Sequence, residues 1–306
     1  MYKRQDQGIK ATVLSASHRY WMGNTVWANN PDLLFFRDTQ GLTADESHAF
    51  ALFVSVFSGI VKLGESFTYL ESHPEALALV ERMVPPLPAF PEPLDLFVKR
   101  WPELWRVPMT PLGGNGDVYG LFHWGENRNI PAQEDLDESP RTLVIPALTE
   151  SAGGAAPGPV PPRVLFDLED FTVLADPDGR AVRQGDVDVV MTPRTGRLYV
   201  ARQVTDLAGS GPLFLATDRH MMGGTGVLTE TTEGPGGTKI SFTKAVPGRV
   251  TKVSFLVIKG AGVDVMTSDA TDVTSATTSS TDADLLTVTL TTTTATATIT
   301  ATYRSR

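Results

Sequence analysis

Apolar residues recur at helical spacing in the first third of the chain. The pattern predicts one helix over residues 8–22 and a second helix that begins at Thr43. The Thr43 hydroxyl can accept the N–H of Glu46, and the Glu46 carboxylate can accept the N–H of Thr43, which together make a capping box. The apolar face behind this cap is typical of a core helix and consists of Phe50, Phe53, Val54 and Phe57.

A shorter amphipathic pattern follows this helix. The segment Ser72-His73-Pro74-Glu75 repeats the capping-box pattern, so we expect Ser72 to cap the next helix. The helix is expected to end before Pro85-Pro86, because proline cannot continue a helix beyond its first turn. Residues 85–112 are rich in proline and aromatic residues, which predicts an ordered connector.

From Val118 onward the apolar period changes from about four to two, which predicts β-strands. Turn-forming residues such as Asp176-Pro177-Asp178-Gly179 separate the segments. Many short strands at this spacing favour an antiparallel β-sandwich, or two small ones. The predicted strands cover residues 118–124, 143–145, 163–168, 186–191, 197–203, 213–216, 239–243 and 250–258.

Threonine dominates the C-terminal end. Apolar residues alternate with threonine before and after the run Thr291 to Thr294, which predicts a hairpin-like pair of strands with a hydroxyl face. Residues 267–284 are polar and weakly patterned, so a loop is expected there. The favoured interpretation is a pair of low-complexity edge strands, and the alternative is a sticky threonine surface for sugars or ice.

A short strand with an abrupt polar end is predicted near residue 27. Val26 and Trp27 suit a half-buried pleated surface. The segment 29–32 cannot continue the strand, because Pro31 lacks an N–H and restricts Asn30 before it. Its two asparagines and its aspartate place hydrogen-bond donors and acceptors at the strand end, where ligands bind in α/β barrels.

Composition excludes several classes of function. The 306 residues carry a formal net charge of -9, which argues against a nucleic-acid partner. The sequence has no cysteine, so a disulfide framework, a thiolate zinc site and a cysteine nucleophile are excluded. The charged N-terminus does not fit a secretory signal, and the apolar run 50–61 is too short to span a bilayer. We expect a cytoplasmic protein without a membrane partner.

The segment Trp27-Ala28-Asn29-Asn30-Pro31-Asp32-Leu33 resembles the W-x-N-D-P-D-[ML/CL] motif of the α-galactosidase (melibiase) clan of glycoside hydrolases, and it is most similar to family 36. Gly41-Leu42-Thr43-Ala44-Asp45-Glu46 resembles the helix start "LTxEE" of the same family. The segments 58–67 and 214–221 resemble its "SGG…L.DDL" and "LLGTTRHI" segments. Two departures stand out: Asn30 replaces the usual first aspartate, and Gly64-Glu65-Ser66 replaces the paired aspartates.

The resemblance implies an α+β fold with three parts. Residues 1–112 would form the C-terminal remnant of a (β/α)8 barrel, namely its last strand and flanking helices, together with the proline-rich connector. Residues 113–266 would form the antiparallel β-sandwich. Residues 267–306 would form a Thr-rich loop and β-strands. The neighbouring barrel strands would be absent, so we expect an unpaired edge at Val26–Trp27 and aromatic rings on the helix that little covers beyond the β domain. This segment would be protected by docking on the β domain or by self-association, so a homo-oligomer is possible.

The resemblance also implies a retaining glycosidase that hydrolyses α-galactosides and needs no cofactor. In the clan, the nucleophile and the acid/base aspartates lie in K-x-D-like and R-x-G-x-D-like strand ends upstream of the tryptophan motif. Neither pattern occurs before Asn24, and a full barrel needs about 200–250 residues. We therefore expect the C-terminal fragment of a glycosidase that begins inside a longer gene. It would be inactive alone, with an α-galactoside or related sugar as the partner of the intact enzyme.

The resemblance gives five substrate-binding candidates and no catalytic residue. Asp32 would lie in or beside the sugar pocket, Leu33 would line its wall, and Trp27, Asn29 and Asn30 would surround them. An alternative that is compatible with this role is structural, because Asn and Asp in such turns often hydrogen-bond nearby backbone groups.

Two other features leave alternatives open. The histidines show no metal-ligand spacing, so no metal site is expected. Asp167, Glu169 and Asp170 could bind calcium, although a solvated strand edge is the favoured interpretation. The rival function for the whole chain is a non-catalytic β-sandwich that binds carbohydrate or has a structural role, with a Thr-rich adhesive end.

Overall fold

The computed structural model describes residues 3–23, 25–37, 42–57, 59–87, 89–108, 116–125, 139–147, 160–204, 207–232, 234 and 236–304. Over these ranges the fold is mixed α/β, with few helices and mostly antiparallel sheets. None of the helices in the described ranges combines the length and the apolar character that crossing a membrane requires.

The helices are α1 (Lys3–Ser17), α2 (Ala44–Phe57), α3 (Phe67–Ser72), α4 (Pro74–Arg82) and α5 (Leu207–Ser210), with a 3₁₀ turn at Tyr20–Met22. The strands are β1 (Leu33–Leu34), β2 (Lys62–Leu63), β3 (Glu92–Pro93), β4 (Leu104–Pro108), β5 (Gly116–His123), β6 (Arg141–Ile145), β7 (Arg163–Asp167), β8 (Thr172–Val173), β9 (Val182–Arg183), β10 (Val187–Met191), β11 (Thr195–Gln203), β12 (Leu213–Thr217), β13 (Leu228–Thr232), β14 (Gly237–Phe242), β15 (Val250–Ile258), β16 (Val263–Ser268), β17 (Ala270–Ser279), β18 (Ala283–Thr292) and β19 (Thr298–Tyr303).

The chain forms two compact units. Unit 1 contains Met1–Pro108, Val118–Ile145 and Val187–Leu198, and unit 2 contains Met109–Asp117, Pro146–Asp186 and Tyr199–Arg306. Each unit has its own buried apolar residues.

Helix α2 lies at the centre of unit 1 and begins as the sequence predicts. The N–H of Thr43 donates to Oε2 of Glu46 at 2.8 Å, and the N–H of Glu46 donates to Oγ1 of Thr43 at 3.2 Å. These two bonds confirm the capping box. They satisfy two of the backbone donors that a helix start leaves without an internal partner.

The aromatic face of α2 is fully covered within unit 1. Phe53 is 0% exposed, and its ring meets three aromatic rings edge to face. The centroid distances are 5.5 Å to Trp105, 5.9 Å to Phe122 and 5.7 Å to Trp124. Phe57 stacks on the same ring at 5.6 Å. Two of the covering rings, Phe122 and Trp124, come from the segment predicted as the β domain, and the third, Trp105 of β4, comes from the predicted connector, which was not expected to cover the helix.

Val26 and Trp27 do not form the predicted strand. Both side chains are largely exposed, at 61% and 49%, and the segment is a turn in which the Met22 carbonyl accepts the N–H of Val26 at 2.9 Å. In place of a strand pairing, Trp27 makes an isolated parallel bridge to Gly23. The short strand is instead β1, which pairs in parallel with β2. A local turn thus overrides the strand preference of Val26 and Trp27.

Unit 2 contains two four-stranded antiparallel sheets, in the orders β12-β15-β18-β17 and β13-β14-β19-β16. Apolar residues of both sheets are buried, among them Phe255 and Val288 in the first and Ile240 and Ile299 in the second. Two antiparallel sheets with buried apolar residues are consistent with the predicted β-sandwich. Strand β15 has the same bounds as its prediction, Val250–Ile258.

The Thr-rich end differs from its prediction in two ways. Residues 267–284 are mostly strand rather than loop, because β17 pairs with β18 along nearly its whole length. Strands β18 and β19 do not form a hairpin with each other. Strand β18 joins the first sheet, between β15 and β17, and β19 joins the second sheet, between β14 and β16. The segment after Thr292 is therefore a crossover and not a tight turn.

Two predicted helix starts are also corrected. The first helix begins at Lys3 rather than at residue 8 and ends at Ser17, and the 3₁₀ turn follows it. Ser72 does not cap α4. Its hydroxyl donates to the carbonyl of Thr68 at 3.1 Å, so it belongs to the end of α3, and His73 occupies the cap position of α4.

Candidate functional site

A cavity of about 520 Å³ in unit 1 adjoins the polar turn after Trp27. Helix α1 and the residues that follow it form one wall, the turn forms another, and α2 contributes one ring. The lining residues are Ala11, Thr12, Ser15, Ala16, Arg19, Trp27, Ala28, Asn29, Asn30, Asp32 and Phe57. Four of the five predicted site residues therefore meet at one cavity. The exception is Leu33, which is 39% exposed and opens strand β1.

Trp27 and Asn29 are joined by a side-chain hydrogen bond. The indole N–H of Trp27 donates to Oδ1 of Asn29 at 2.9 Å. Because an indole N–H can only donate, the Asn29 amide must present its oxygen to Trp27 and its nitrogen elsewhere. The Trp27 side chain itself stays about half exposed beside the cavity.

Asn29 is buried, with 6% of its surface exposed. Its backbone carbonyl accepts the N–H of Ile60 at 2.7 Å, which ties the turn to the segment after α2. Its Nδ2 is buried and has no hydrogen-bond partner among the described residues. A methyl group on Gly23 would lie only 2.3 Å from this Nδ2, so a side chain at position 23 would displace the amide.

Asn30 and Asp32 shape the turn through their side chains. Oδ1 of Asn30 accepts the N–H of Asp32 at 3.2 Å, and Oδ1 of Asp32 accepts the N–H of Leu33 at 2.9 Å. The structural role that the sequence left open for the turn is therefore present. Asp32 has a φ of +81°, a left-handed conformation that costs most residues other than glycine about 1–2 kcal/mol. Both side chains are exposed.

Helix α1 and its exit supply cavity residues that sequence reasoning missed. Thr12 and Ser15 lie on α1, and Arg19 follows the helix. Nη1 of Arg19 donates to the Ser15 hydroxyl at 2.9 Å. The four-residue spacing of Ser15 and Arg19 was a signal that these side chains share one side of the helix end.

Glu65, in the segment that resembles the paired aspartates of the family, has a structural position. Its Oε1 accepts the N–H groups of Phe36 at 2.7 Å and Arg37 at 3.2 Å. Its Oε2 lies 2.7 Å from Nε of Arg37, and the carboxylate side chain is fully buried. Glu65 thus holds the chain after β1 and does not line the cavity described above.

The acidic cluster in unit 2 does not form a metal site. Oδ1 of Asp167 accepts the N–H of Glu169 at 2.8 Å and the N–H of Asp170 at 3.1 Å, so this carboxylate organises its own turn. Asp167 is 4% exposed, which corrects the expected solvated edge at this residue, whereas Asp170 is exposed. Among the residues that the structure describes, no group of three or more His, Cys, Asp or Glu side chains is arranged to hold a metal ion.

A buried polar cluster in unit 1 was not predicted. The Glu103 carboxylate contacts the Arg141 guanidinium and lies 3.5 Å from Nζ of Lys99. Nη2 of Arg141 also lies 3.0 Å from Nδ1 of His123, and Nε2 of the same ring lies 3.0 Å from the Ser139 carbonyl. Since Nδ1 accepts from Arg141, the hydrogen of a neutral His123 ring is on Nε2.

Burial governs the acidity of this cluster. It raises the pKa of Glu103 from its ordinary value of 4.5 to about 7, although Arg141 and Lys99 oppose the change. Burial also raises the pKa of the neighbouring Asp95, whose carboxylate accepts the N–H groups of Glu103 and Leu104. Neither carboxylate lines the cavity beside Trp27, so we treat this cluster as part of the stability of unit 1.

No protein-family model and no curated protein sequence matches the chain. Solved structures that resemble it include α-galactosidase I of Mortierella vinacea, with 14% identity, a TM-score of 0.38 and coverage of 62% of this chain and 44% of that one. A family 27 β-L-arabinopyranosidase of Geobacillus stearothermophilus has 12% identity, a TM-score of 0.43 and coverage of 65% and 42%. The α-galactosidase of Saccharomyces cerevisiae with raffinose has 11% identity, a TM-score of 0.35 and coverage of 63% and 51%.

Two of these structural neighbours are α-galactosidases and the third is a family 27 β-L-arabinopyranosidase, and all three are found at low identity and low TM-score. The chain spans about half of their length or less. At these TM-scores the likeness assigns no function to the chain.

Proposed function

We propose that the cavity beside Trp27 binds a galactose-type sugar, and that the chain is the C-terminal part of a retaining glycosidase of the α-galactosidase clan, similar to family 36. The observation that carries the proposal is the convergence of four motif residues, Trp27, Asn29, Asn30 and Asp32, on one cavity. The resemblance of the motif links the same residues to a sugar pocket.

The chemistry of the cavity suits a sugar ring. A half-exposed indole offers an apolar face to the C–H groups of a pyranose, and its N–H is already satisfied by Asn29. The carboxylate of Asp32 can accept hydrogen bonds from ring hydroxyls, and charge-assisted bonds of this kind are the stronger ones.

We propose that this part of the enzyme binds sugar without hydrolysing it. Retaining glycosidases need two carboxylates roughly 5–5.5 Å apart. Asp32 is the one carboxylate among the described residues that line the cavity. In the intact enzyme the nucleophile and acid/base aspartates would come from other barrel strands. The parallel pairing of β1 with β2 supports a barrel origin, because barrel strands are parallel. The division into 1–112, 113–266 and 267–306 remains our prediction for the folding units.

Two measurements on the purified chain test the proposal. Isothermal titration with methyl α-galactopyranoside should give a Kd of roughly millimolar, or about -4 kcal/mol. Asp32→Ala should abolish the signal, and Asp188→Ala, at an exposed aspartate of β10, should leave it unchanged. A chromogenic α-galactoside should not be hydrolysed above a buffer blank. Turnover that is lost in Asp32→Asn would contradict the non-catalytic part of the proposal, and equal binding by wild type and Asp32→Ala would contradict the site.

A second candidate function rests on strand β17. This strand is at the edge of its sheet, and nine of its ten residues are exposed, while the tenth is half-buried. A long edge strand that carries no lysine and no proline is open to pairing with another chain. An adhesive or structural role would therefore depend on β17, and Val273→Lys with Thr277→Lys should weaken self-association in sedimentation. Unchanged monomeric behaviour in both forms would argue against this role.

A further inference from the structure

The cavity beside Trp27 contains both a cationic and an anionic side chain. Arg19 lies on one wall and Asp32 on another. The guanidinium of Arg19 donates to a neutral hydroxyl, that of Ser15, and makes no ion pair with a carboxylate in the described part of the chain. An arginine presents five N–H donors in a fork that matches a carboxylate or a sulfate, so most of its donors are available to a ligand.

The Asn29 side chain, which also belongs to the cavity lining, has a fixed orientation. The Trp27 indole occupies Oδ1, so the group left without a partner is the N–H donor Nδ2, and this side chain is more than nine-tenths buried. Thr12 and Ser15 contribute hydroxyls to the same lining. The α1 side of the cavity, with Arg19 and these hydroxyls, therefore offers donors, whereas the Asp32 side offers acceptors.

A neutral hexose satisfies the Asp32 side through its hydroxyls but brings no charge to Arg19. A sugar that also carries an acidic group satisfies both sides, because its hydroxyls donate to Asp32 and its anionic oxygens accept from Arg19. We infer that the cavity prefers an acidic sugar, a hexuronic acid, with Arg19 as the residue that determines this specificity. The inference rests on the proposed sugar site and adds the class of sugar to it.

The test compares two ligands that differ at one carbon. Methyl α-galactopyranoside carries a hydroxymethyl group at C5, and methyl α-galacturonide carries a carboxylate there. Titration of the full chain at pH 7 and low salt should give a Kd for the galacturonide at least about fivefold lower than for the galactoside. Arg19→Gln should reduce this ratio to about one while changing the Kd of the neutral sugar by less than about threefold. Arg180→Gln, at an exposed arginine of unit 2, is the matched control and should keep the wild-type ratio.

The ionic strength and a second anionic sugar provide two further tests. Raising the ionic strength should weaken the binding of the galacturonide and leave the binding of the galactoside unchanged, because only the galacturonide forms a charge pair with the protein. Because the Arg19 fork also matches a sulfate, galactose 6-sulfate should bind more tightly than the galactoside as well, and a 6-sulfate Kd equal to that of the galactoside would contradict the role of Arg19 in binding the acidic group. A galacturonide Kd equal to or above that of the galactoside in wild type would overturn the inference, as would an unchanged ratio in Arg19→Gln. If the galactoside shows no binding, the proposed site for a neutral sugar fails. In that case, loss of galacturonide binding in Arg19→Gln would still support the role of Arg19 in binding the acidic group. If the wild-type protein does not bind the galacturonide either, that role is refuted.

Discussion

The indole N–H of Trp27 donates to Oδ1 of Asn29 at 2.9 Å, and this bond determines which end of the Asn29 amide faces away from the indole. The amide is buried, so its orientation cannot be adjusted by exchange with water. The bond thus converts the Trp-x-Asn spacing of the sequence into a fixed orientation of the Asn29 side chain in the cavity lining.

Trp27→Phe should weaken both stability and sugar binding. The ring is retained, but the buried Oδ1 of Asn29 loses its donor, which costs about 1–3 kcal/mol. We expect the free energy of unfolding to fall by about this amount in urea titrations, and the Kd of the galactoside to rise. Trp21→Phe is the control, because Trp21 is 55% exposed. Equal stability of the Trp27→Phe and Trp21→Phe proteins would show that the indole bond contributes nothing.

Asp32 should separate stability from function. Its φ of +81° favours glycine, so Asp32→Gly relieves the strain but loses the acceptor for the Leu33 N–H, and its stability is expected to stay within about 1 kcal/mol of wild type. Asp32→Ala keeps the strain and loses the acceptor for the Leu33 N–H, so it should be less stable by about 1 kcal/mol. Both variants should lose sugar binding. Urea unfolding of the two proteins in parallel measures this difference in stability. An alanine variant as stable as the glycine variant would contradict the predicted effect of backbone strain at position 32.

Glu103 should make unit 1 less stable as the pH rises. Its pKa is raised from 4.5 to about 7 in the folded protein, so the unfolded chain ionises first. The stability contribution is present below pH 4.5 and is lost as the pH rises to about 7, by on the order of 2–3 kcal/mol. Glu103→Gln should flatten this part of the profile in urea unfolding between pH 5 and pH 8. If the free energy of unfolding of Glu103→Gln falls with pH as steeply as that of wild type, the pH dependence comes from other groups.

Phe53 should be among the most sensitive positions of unit 1. It is 0% exposed and touches the rings of Phe57, Trp105, Phe122 and Trp124. Phe53→Ala would leave a cavity and is expected to cost about 3–5 kcal/mol in the free energy of unfolding. Phe97→Ala removes the same side chain from a fully exposed position and should change stability by less than about 0.5 kcal/mol. Similar costs at the two positions would contradict the packing.

Features that depend on neighbouring residues were predictable from the sequence. The capping box at Thr43 and Glu46 needs only residues three apart, and the structure confirms it. The alternation in Val250–Ile258 gave a strand with correct bounds, because the segment is β-branched and apolar and lies in the middle of a sheet. The turn at Asn30 and Asp32 followed from Pro31 and from the short polar side chains around it.

Features that depend on distant partners were not predictable in the same way. Strand β17 has no buried residue of its own, so its sequence carries no apolar alternation, and pairing with β18 makes it a strand. Arg19 joins the cavity because of where α1 ends, which periodicity places only to within a few residues. Leu33 was expected at the pocket wall, but the structure places it at the start of β1 and outside the cavity lining.

The most direct test of the sugar site observes the indole N–H of Trp27 itself. The chain has five tryptophans, so a ¹H–¹⁵N spectrum of the wild-type protein should show five indole signals, and Trp27→Phe identifies the one of interest. Titration with methyl α-galactopyranoside should shift the Trp27 signal in a saturable way and leave the signals of the buried Trp105 and Trp124 in place. A Trp27 signal that stays unchanged at sugar concentrations well above millimolar would contradict the central claim that this cavity binds the sugar.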